Sequence, residues 1–253
     1  MPVIKKAAEE KKQQQLTEMV KFAHDRLPPD VFATMQPFMA NYYSQVGEEQ
    51  VQSRNISDLY GAVMSHWQFA RHFKTGAPRV RIYNPQIDEH GWESAHSVIE
   101  IVNDDMPFLV DSVTTEINRL GLTLHAAIHP VFRVWRDASG QVERIQAATD
   151  ISAKIDEQHN APKLESYIHF EIDRCTEPQK LEEILTGVKK VLSDVRAAVE
   201  DWHGMMTSAT AAVTELNDQP GKDDTQQAEI DEGRAFLEWM INDHFTFSRL
   251  PRL

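Results

Sequence analysis

The sequence predicts an α+β fold with a helical amino-terminal part, a mixed strand-and-helix part and a carboxy-terminal helix. Three blocks that differ in period predict it. Apolar residues recur every three or four positions up to about Phe73. From Arg79 they alternate or run continuously in short segments, and from about Glu177 the helical spacing returns.

Lys5 to Arg26 reads as a charged helix, with Leu16, Met19, Val20, Phe22 and Ala23 on one side near its end. Pro28 and Pro29 stop it, and Asp30 is placed to cap a second helix running to about Val46. Asn55 or Ser57 caps a third, whose Leu59, Val63, Trp67, Ala70 and Phe73 form a single face expected in the core.

Arg79 to Tyr83 alternates as a short strand, and a loop follows to Trp92. Val98 to Val102 is almost uniformly apolar, the mark of a strand covered on both faces. Asp104, Asp105 and Pro107 suit a helix start. Leu109, Val113, Ile117 and Leu120 make that helix's buried stripe, and Gly121 ends it. Leu122 to Ile128 alternates with one face buried, Pro130 marks a bulge or an edge, and Phe132 and Val134 continue the strand to a turn at Asp137 to Gly140. After a polar stretch (Thr149 to Lys163), Ser166, Ile168, Phe170 and Ile172 alternate as another strand. A long helix then carries Leu181, Ile184, Val188, Val191, Val195, Val199 and Trp202. The order strand, helix, strand, strand, helix is most of a βαββαβ unit, the plan of ferredoxin-like and ACT domains, with the fourth strand missing and an edge left open. A linker-like stretch (Asn217 to Thr225) precedes a last helix, Gln226 to Phe247, with Ile230, Phe236, Leu237, Met240 and Ile241 on its apolar side. The expected divisions are 1–75, helical; 76–205, an ACT-like α+β domain; and 206–253, a helical linker and the start of a truncated module.

The net charge of -13 argues against nucleic-acid binding, which needs lysine and arginine to displace counterions. No apolar run approaches the roughly 20 residues that span a bilayer. Residues Met1 to Lys12 lack the apolar core of a signal peptide, so a cytoplasmic location is expected. With Cys175 as the single cysteine, no disulfide can form within the chain, and an inert thiol at a strand end is expected despite Arg174 beside it. The ten glycines are nowhere two residues apart, so the G-x-G-x-x-G turn that lets backbone approach a pyrophosphate is absent. No cofactor is expected in this chain, and no catalytic residue is assigned. The histidines do not suggest a metal either. His125 and His129 share a strand face but stand about 13 Å apart at roughly 3.3 Å per residue, and His66 and His72 fall on different sides of a helix. All are expected to be solvated or at the core edge.

Three segments carry a family resemblance: Asp58-Leu59-Tyr60-Gly61-Ala62 with Ser65-His66-Trp67; Val80 to Pro85; and above all Val98 to Val113, VIEIVNDDMPFLVDSV, with Ile128-His129-Pro130-Val131 downstream. Together they resemble the amino-terminal, ACT-like region of the large bacterial NAD-dependent glutamate dehydrogenases, strongly from Asp58 to Asp173 and loosely elsewhere. The resemblance implies a non-catalytic regulatory or oligomerisation region of an enzyme that converts L-glutamate, NAD and water to 2-oxoglutarate, ammonia and NADH. NAD would bind in the full-length enzyme, outside this chain. The implied partners are the rest of the polypeptide, further copies in a homo-oligomer, and an amino-acid effector. Alternatives are a free-standing ACT-like amino-acid sensor or a pure interaction module. The implied site is the loop and helix start that hold Asn103, Asp105, Met106, Pro107, Phe108 and Asp111. Amino-acid-binding ACT domains usually carry glycine after the proline, so Phe108 favours interface packing over effector binding. Phe245-Thr246-Phe247 fits the family pattern, but Ser248-Arg249-Leu250 stands where Leu-Gly-Tyr usually follows, so a chain boundary, a frameshift or a divergent stop is expected there.

Overall fold

The computed structural model describes residues 2–150, 161–218 and 221–244. They divide into two compact units, residues 1–192 and 193–253. The first opens with helices α1 (Pro2–His24), α2 (Pro29–Tyr42), α3 (Glu48–Gln52) and α4 (Ile56–Ala70). Pro29 occupies the first turn of α2, where a missing N–H costs nothing, so Asp30 lies inside that turn and not at the cap. Asn55 caps α4 as expected, its side chain accepting the Asp58 N–H at 2.8 Å. Leu59, Val63, Trp67, Ala70 and Phe73 are all buried.

The strands are β1 (Arg79–Tyr83), β2 (Ser97–Asp104), β3 (Leu124–Ile128), β4 (Val131–Arg136), β5 (Val142–Ala147) and β6 (Lys163–Ile172). A short helix, α5 (Ile87–His90), lies between β1 and β2, and α6 (Leu109–Arg119) between β2 and β3. The sheet runs β1-β2-β6-β4-β5, with β3 also paired to β6, and every pairing is antiparallel. Strands β2 and β3 therefore flank β6 in parallel, joined by α6, which is the split βαβ arrangement of a ferredoxin-like sheet. The fourth strand is not missing. Strand β1 lies antiparallel on the outer side of β2, pairing Arg79 with Val102 through Tyr83 with Val98, and so covers the β2 edge expected to be open and becomes the edge strand itself. It precedes the unit in sequence, where a search for a fourth strand after the second helix does not reach.

Several local expectations shift. Asp104 is the last residue of β2, and α6 begins at Leu109, not at the aspartates. Leu109, Val113 and Ile117 are buried as expected, Leu120 only partly, and Gly121 takes the left-handed conformation (φ 74°) of a helix stop. Pro130 separates β3 from β4, its carbonyl accepting the Tyr167 N–H, while the register shift lies between Leu124 and Ala126. Strand β5 occupies a stretch without the apolar alternation that marks the other strands. Strand β6 is buried on both faces from Glu165 to Ile172, so its alternation marks two different cores and not a solvent face.

One core lies between the sheet and α1–α4. It joins Leu16, Met19, Phe38, Tyr42, Val63 and Trp67 to Val102, Phe132, Val134 and Tyr167. Phe38 stands at its centre, with ring centroids 5.0 Å from Phe132 and 5.3 Å from both Trp67 and Tyr167. On the other sheet face Ile99, Ile101, Ile168 and Phe170 are equally buried. Amphipathic α6 and the first part of α7 (Pro178–Asp218) carry the remaining buried stripes, Leu109, Val113 and Ile117 with Ile184, Val188 and Leu192. At their crossing a Cβ on Gly187 would overlap the Glu116 carboxylate.

In the second unit α7 runs on to Asp218, beyond the expected linker start at Asn217. Helix α8 (Asp224–Trp239), capped by Asp223 and continued by a π-helical turn to His244, has no fully buried residue. The expected motifs at Phe245 to Leu250, part of the polar stretch (151–160) and Gln219-Pro220 lie outside the described residues.

Replacing Ile117 with alanine should cost about 2–5 kcal/mol of stability in urea unfolding. A loss below about 0.5 kcal/mol would place the α6 stripe at the surface.

Candidate functional site

The loop between β2 and α6 is where the sequence places a site. Asn103 is buried and donates to the Asp104 carbonyl at 3.0 Å, and the Asp105 N–H is held by the Leu164 carbonyl at 2.9 Å. The loop is thus anchored to β6 at its start. Asp105, Pro107 and Asp111 are exposed and Met106 is half-buried. Burial of its surroundings pushes the Asp105 carboxyl upward. Phe108 is the unusual residue, with φ at 70°, the sole described non-glycine residue of positive φ, and a ring that is 53% exposed. A β-carbon in left-handed backbone costs roughly 1–2 kcal/mol. Phe108 therefore occupies, under strain, a conformation that glycine adopts freely. The helix follows directly, with no side-chain cap on its first N–H groups.

A second constellation lies beneath the helical layer, and sequence reasoning missed it. Glu100, His169 and Glu171 are buried on the sheet face that meets α1–α4. Glu100 takes hydrogen bonds from Arg81 Nε at 2.8 Å and the Tyr83 hydroxyl at 2.9 Å. Glu171 accepts from Arg54, in the turn before α4, at 2.6 Å. The His169 ring sits between them, Nε2 at 3.4 Å from Glu171 and Nδ1 at 3.7 Å from Glu100. His66, expected at a core edge, is instead fully buried. Its Nε2 faces the Ile101 carbonyl at 3.2 Å, which can only accept, so Nε2 carries the hydrogen and Nδ1 accepts from the Tyr42 hydroxyl at 2.9 Å.

The electrostatics follow from this geometry. Burial lowers His66 to about 4, so it is neutral at physiological pH. Burial also opposes charge on Glu100 and Glu171, but the hydrogen bonds and charge of His169, with Arg81 and Arg54, outweigh it and hold both carboxylates at about 2. Burial opposes charge on His169 as well, and the flanking carboxylates reverse that and raise it. A charged residue inside an apolar run read as buried on both faces must be paired, so Glu100 within Val98 to Val102 was the available signal.

The other candidates resolve simply. His125 is exposed and pairs with Asp173 at 2.7 Å, its ring stacked on His96 at 4.1 Å. Burial pushes the Cys175 thiol up, and the neighbouring Arg174 guanidinium donates to the Ser94 carbonyl. Among the described residues no group of three or more His, Cys, Asp or Glu side chains is arranged to hold a metal ion, and no helix is long and apolar enough to cross a membrane.

A family model described as the glutamate dehydrogenase ACT1 domain matches residues 38–188. The chain is 38% identical over 247 residues to an NAD-specific glutamate dehydrogenase of Halomonas elongata, covering 95% of this chain and 14% of that protein. It is 33% identical over 210 residues to the NAD-specific glutamate dehydrogenase of Pseudomonas aeruginosa, covering 83% of this chain and 12% of the relative. The protein of that name from Mycobacterium tuberculosis is 25% identical over 182 residues, 72% of this chain and 10% of its own length. The chain thus spans a small fraction of the relatives it matches.

The buried network predicts how stability responds to acid. Folding depresses Glu100 and Glu171 from 4.5, so their contribution is full above 4.5 and lost as pH falls toward 2. His66 is depressed from 6.5 to about 4, so its contribution is lost across that interval. His169 is raised above 6.5 and acts oppositely, stabilising below 6.5 and losing that contribution as pH rises through its folded value. Urea unfolding should show stability falling from pH 6.5 to 4 and more steeply below 4.5. Glu171→Gln should flatten the lower part, and an unchanged profile would remove Glu171 from the charged network.

Proposed function

The chain belongs to the glutamate dehydrogenase ACT1 family, the amino-terminal region of the large NAD-dependent glutamate dehydrogenases, and on that premise we propose that it regulates and assembles such an enzyme without itself catalysing. The reaction, L-glutamate with NAD and water giving 2-oxoglutarate, ammonia and NADH, is assigned to the complete cytoplasmic polypeptide. NAD is assigned to a part of it outside this chain, because no glycine-rich dinucleotide turn occurs in these 253 residues.

The observation that carries the assembly role is Phe108. An aromatic ring held in left-handed backbone with 53% of its surface exposed is strained and solvated at once. Such strain persists at positions where the side chain has work to do. A large exposed ring offers an anchor of the kind that dominates interfaces, and a partner surface would bury it. Asn103 tethers the loop, Asp105, Met106 and Pro107 shape its rim, and Asp111 lies on the exposed side of the first helical turn. Phe108 also fills space where a small effector would approach the backbone, which favours assembly over sensing.

Phe108→Gly separates the roles. Sedimentation over a concentration series should show weaker self-association, while urea unfolding of the monomer should show stability unchanged or raised by about 1 kcal/mol as the strain is released. Unchanged association, or a monomer in both proteins, would remove the interface role. A micromolar amino-acid isotherm that survives in Phe108→Gly would move the reading to effector sensing.

The purified chain should show neither NAD-dependent glutamate oxidation nor micromolar NAD binding in calorimetry. Turnover free of contaminating enzyme would overturn the non-catalytic assignment.

A further inference from the structure

At the other end of α4 from Arg54, an open cleft of about 550 Å³ lies between the α4–β1 connection, the β4–β5 turn and the start of β6. Its charged and hydroxyl-bearing lining is Lys74, Thr75, Arg136, Asp137, Lys163 and Glu165. Each carboxylate is already engaged. Glu165 takes both arms of the Arg136 guanidinium at 2.7 Å, and Asp137 folds back to accept the N–H groups of Ser139 and Gln141 at 2.8 and 2.9 Å. Among the described residues Lys74 has no carboxylate partner, and Lys163 donates to the Thr75 hydroxyl at 3.0 Å, leaving its other ammonium hydrogens available. Both lysines are exposed, in a chain whose net charge is -13.

We propose that this cleft binds a small organic phosphate, held by Lys74, Lys163 and Thr75. The donor chemistry selects the ligand. The guanidinium fork that would clamp a carboxylate or a phosphate in two parallel bonds, Arg136, is consumed by Glu165, whereas lysine binds phosphate as a point charge. What remains is two rotatable ammonium groups and a hydroxyl, which suit a tetrahedral oxyanion that takes charge from several directions. The volume falls within the roughly 300–1,000 Å³ of small-molecule sites, and Phe73, Val134 and Ala138 in the lining offer apolar contacts to an organic portion. Arg136, held by Glu165 and by the carbonyls of Ala70, Arg71 and Gly140, forms a neutral pair in the lining, so the positive charge open to a ligand is that of the two lysines. The site does not depend on the assembly role of Phe108.

Calorimetry on the purified chain with glycerol phosphate, inorganic phosphate and succinate tests it. Glycerol phosphate should bind more tightly than either of the others. The double variant Lys74→Glu with Lys163→Glu should lose at least about tenfold in affinity, near 1.4 kcal/mol. A control with the same charge change elsewhere, Lys21→Glu with Lys189→Glu, should keep most of it. Equal loss in both variants would reduce the effect to net charge. Succinate binding as tightly as glycerol phosphate would overturn the phosphate assignment, and absence of binding by every probe would overturn the site. Unfolding midpoints of both variants matched to the parent chain exclude misfolding as the cause of any loss.

Discussion

Three buried carboxylates on one sheet face, Glu100, Glu165 and Glu171, set the terms on which the helical layer can dock. Each ion taken out of water costs several kcal/mol unless a cation and hydrogen bonds replace the solvent. The replacements come from different parts of the chain: Arg81 from β1, Arg136 from the end of β4, and Arg54 from the turn before α4. Two of them grip α4 at opposite ends. Arg54 ties its start to β6, while Arg136 donates to the Ala70 and Arg71 carbonyls at its end, groups that the last turn of a helix leaves without partners. An apolar interface alone would tolerate sliding. These pairs fix the position of α4 along β6, because a displaced helix would leave charges buried and uncompensated.

The same arrangement explains why helices and sheet share a core. His66 reaches from α4 to the Ile101 carbonyl in β2 and to the Tyr42 hydroxyl in α2. Phe38 of α2 packs against rings of β4, β6 and α4. The ferredoxin-like sheet is therefore buried on both faces, and β1 covers the side that its strand order would otherwise leave unpaired. Two local features are exposed on this unit, the Phe108 loop and the Lys74–Lys163 cleft. Both lie at connections that follow rigid elements, where a scaffold can hold a functional residue in place.

Periodicity made most of the elements legible, including the α4 stripe, β1 with its full range, the doubly buried β2, the α6 stripe and the Gly121 stop. The family was legible in the unbroken run Val98 to Val113. Turn chemistry was harder to read. Asp104 and Asp105 look like a helix start, yet Asp104 pairs in register with Glu165 and the helix waits for Leu109. Phe108 was singled out as a bulky residue at a glycine position, but its positive φ could not be read from side-chain identity, since left-handed backbone is disfavoured for phenylalanine and is imposed here by the loop.

By itself the sequence determined the α+β class, the order of its principal helices and strands, the family, and the want of a dinucleotide fingerprint, because each is written in local spacing or in a contiguous motif. Only the tertiary structure decided that β1 completes the sheet and that the alternating β6 lies between two cores. It also decided that Glu100, His169 and Glu171 form one network, with His66 buried beside it, and that Lys74 and Lys163 line one cleft. The reason is separation along the chain. Arg54 and Glu171 lie 117 residues apart, and Lys163 and Thr75 lie 88 apart. No local pattern encodes a pairing that exists only once the sheet has folded and the cost of burying charge has selected its partner.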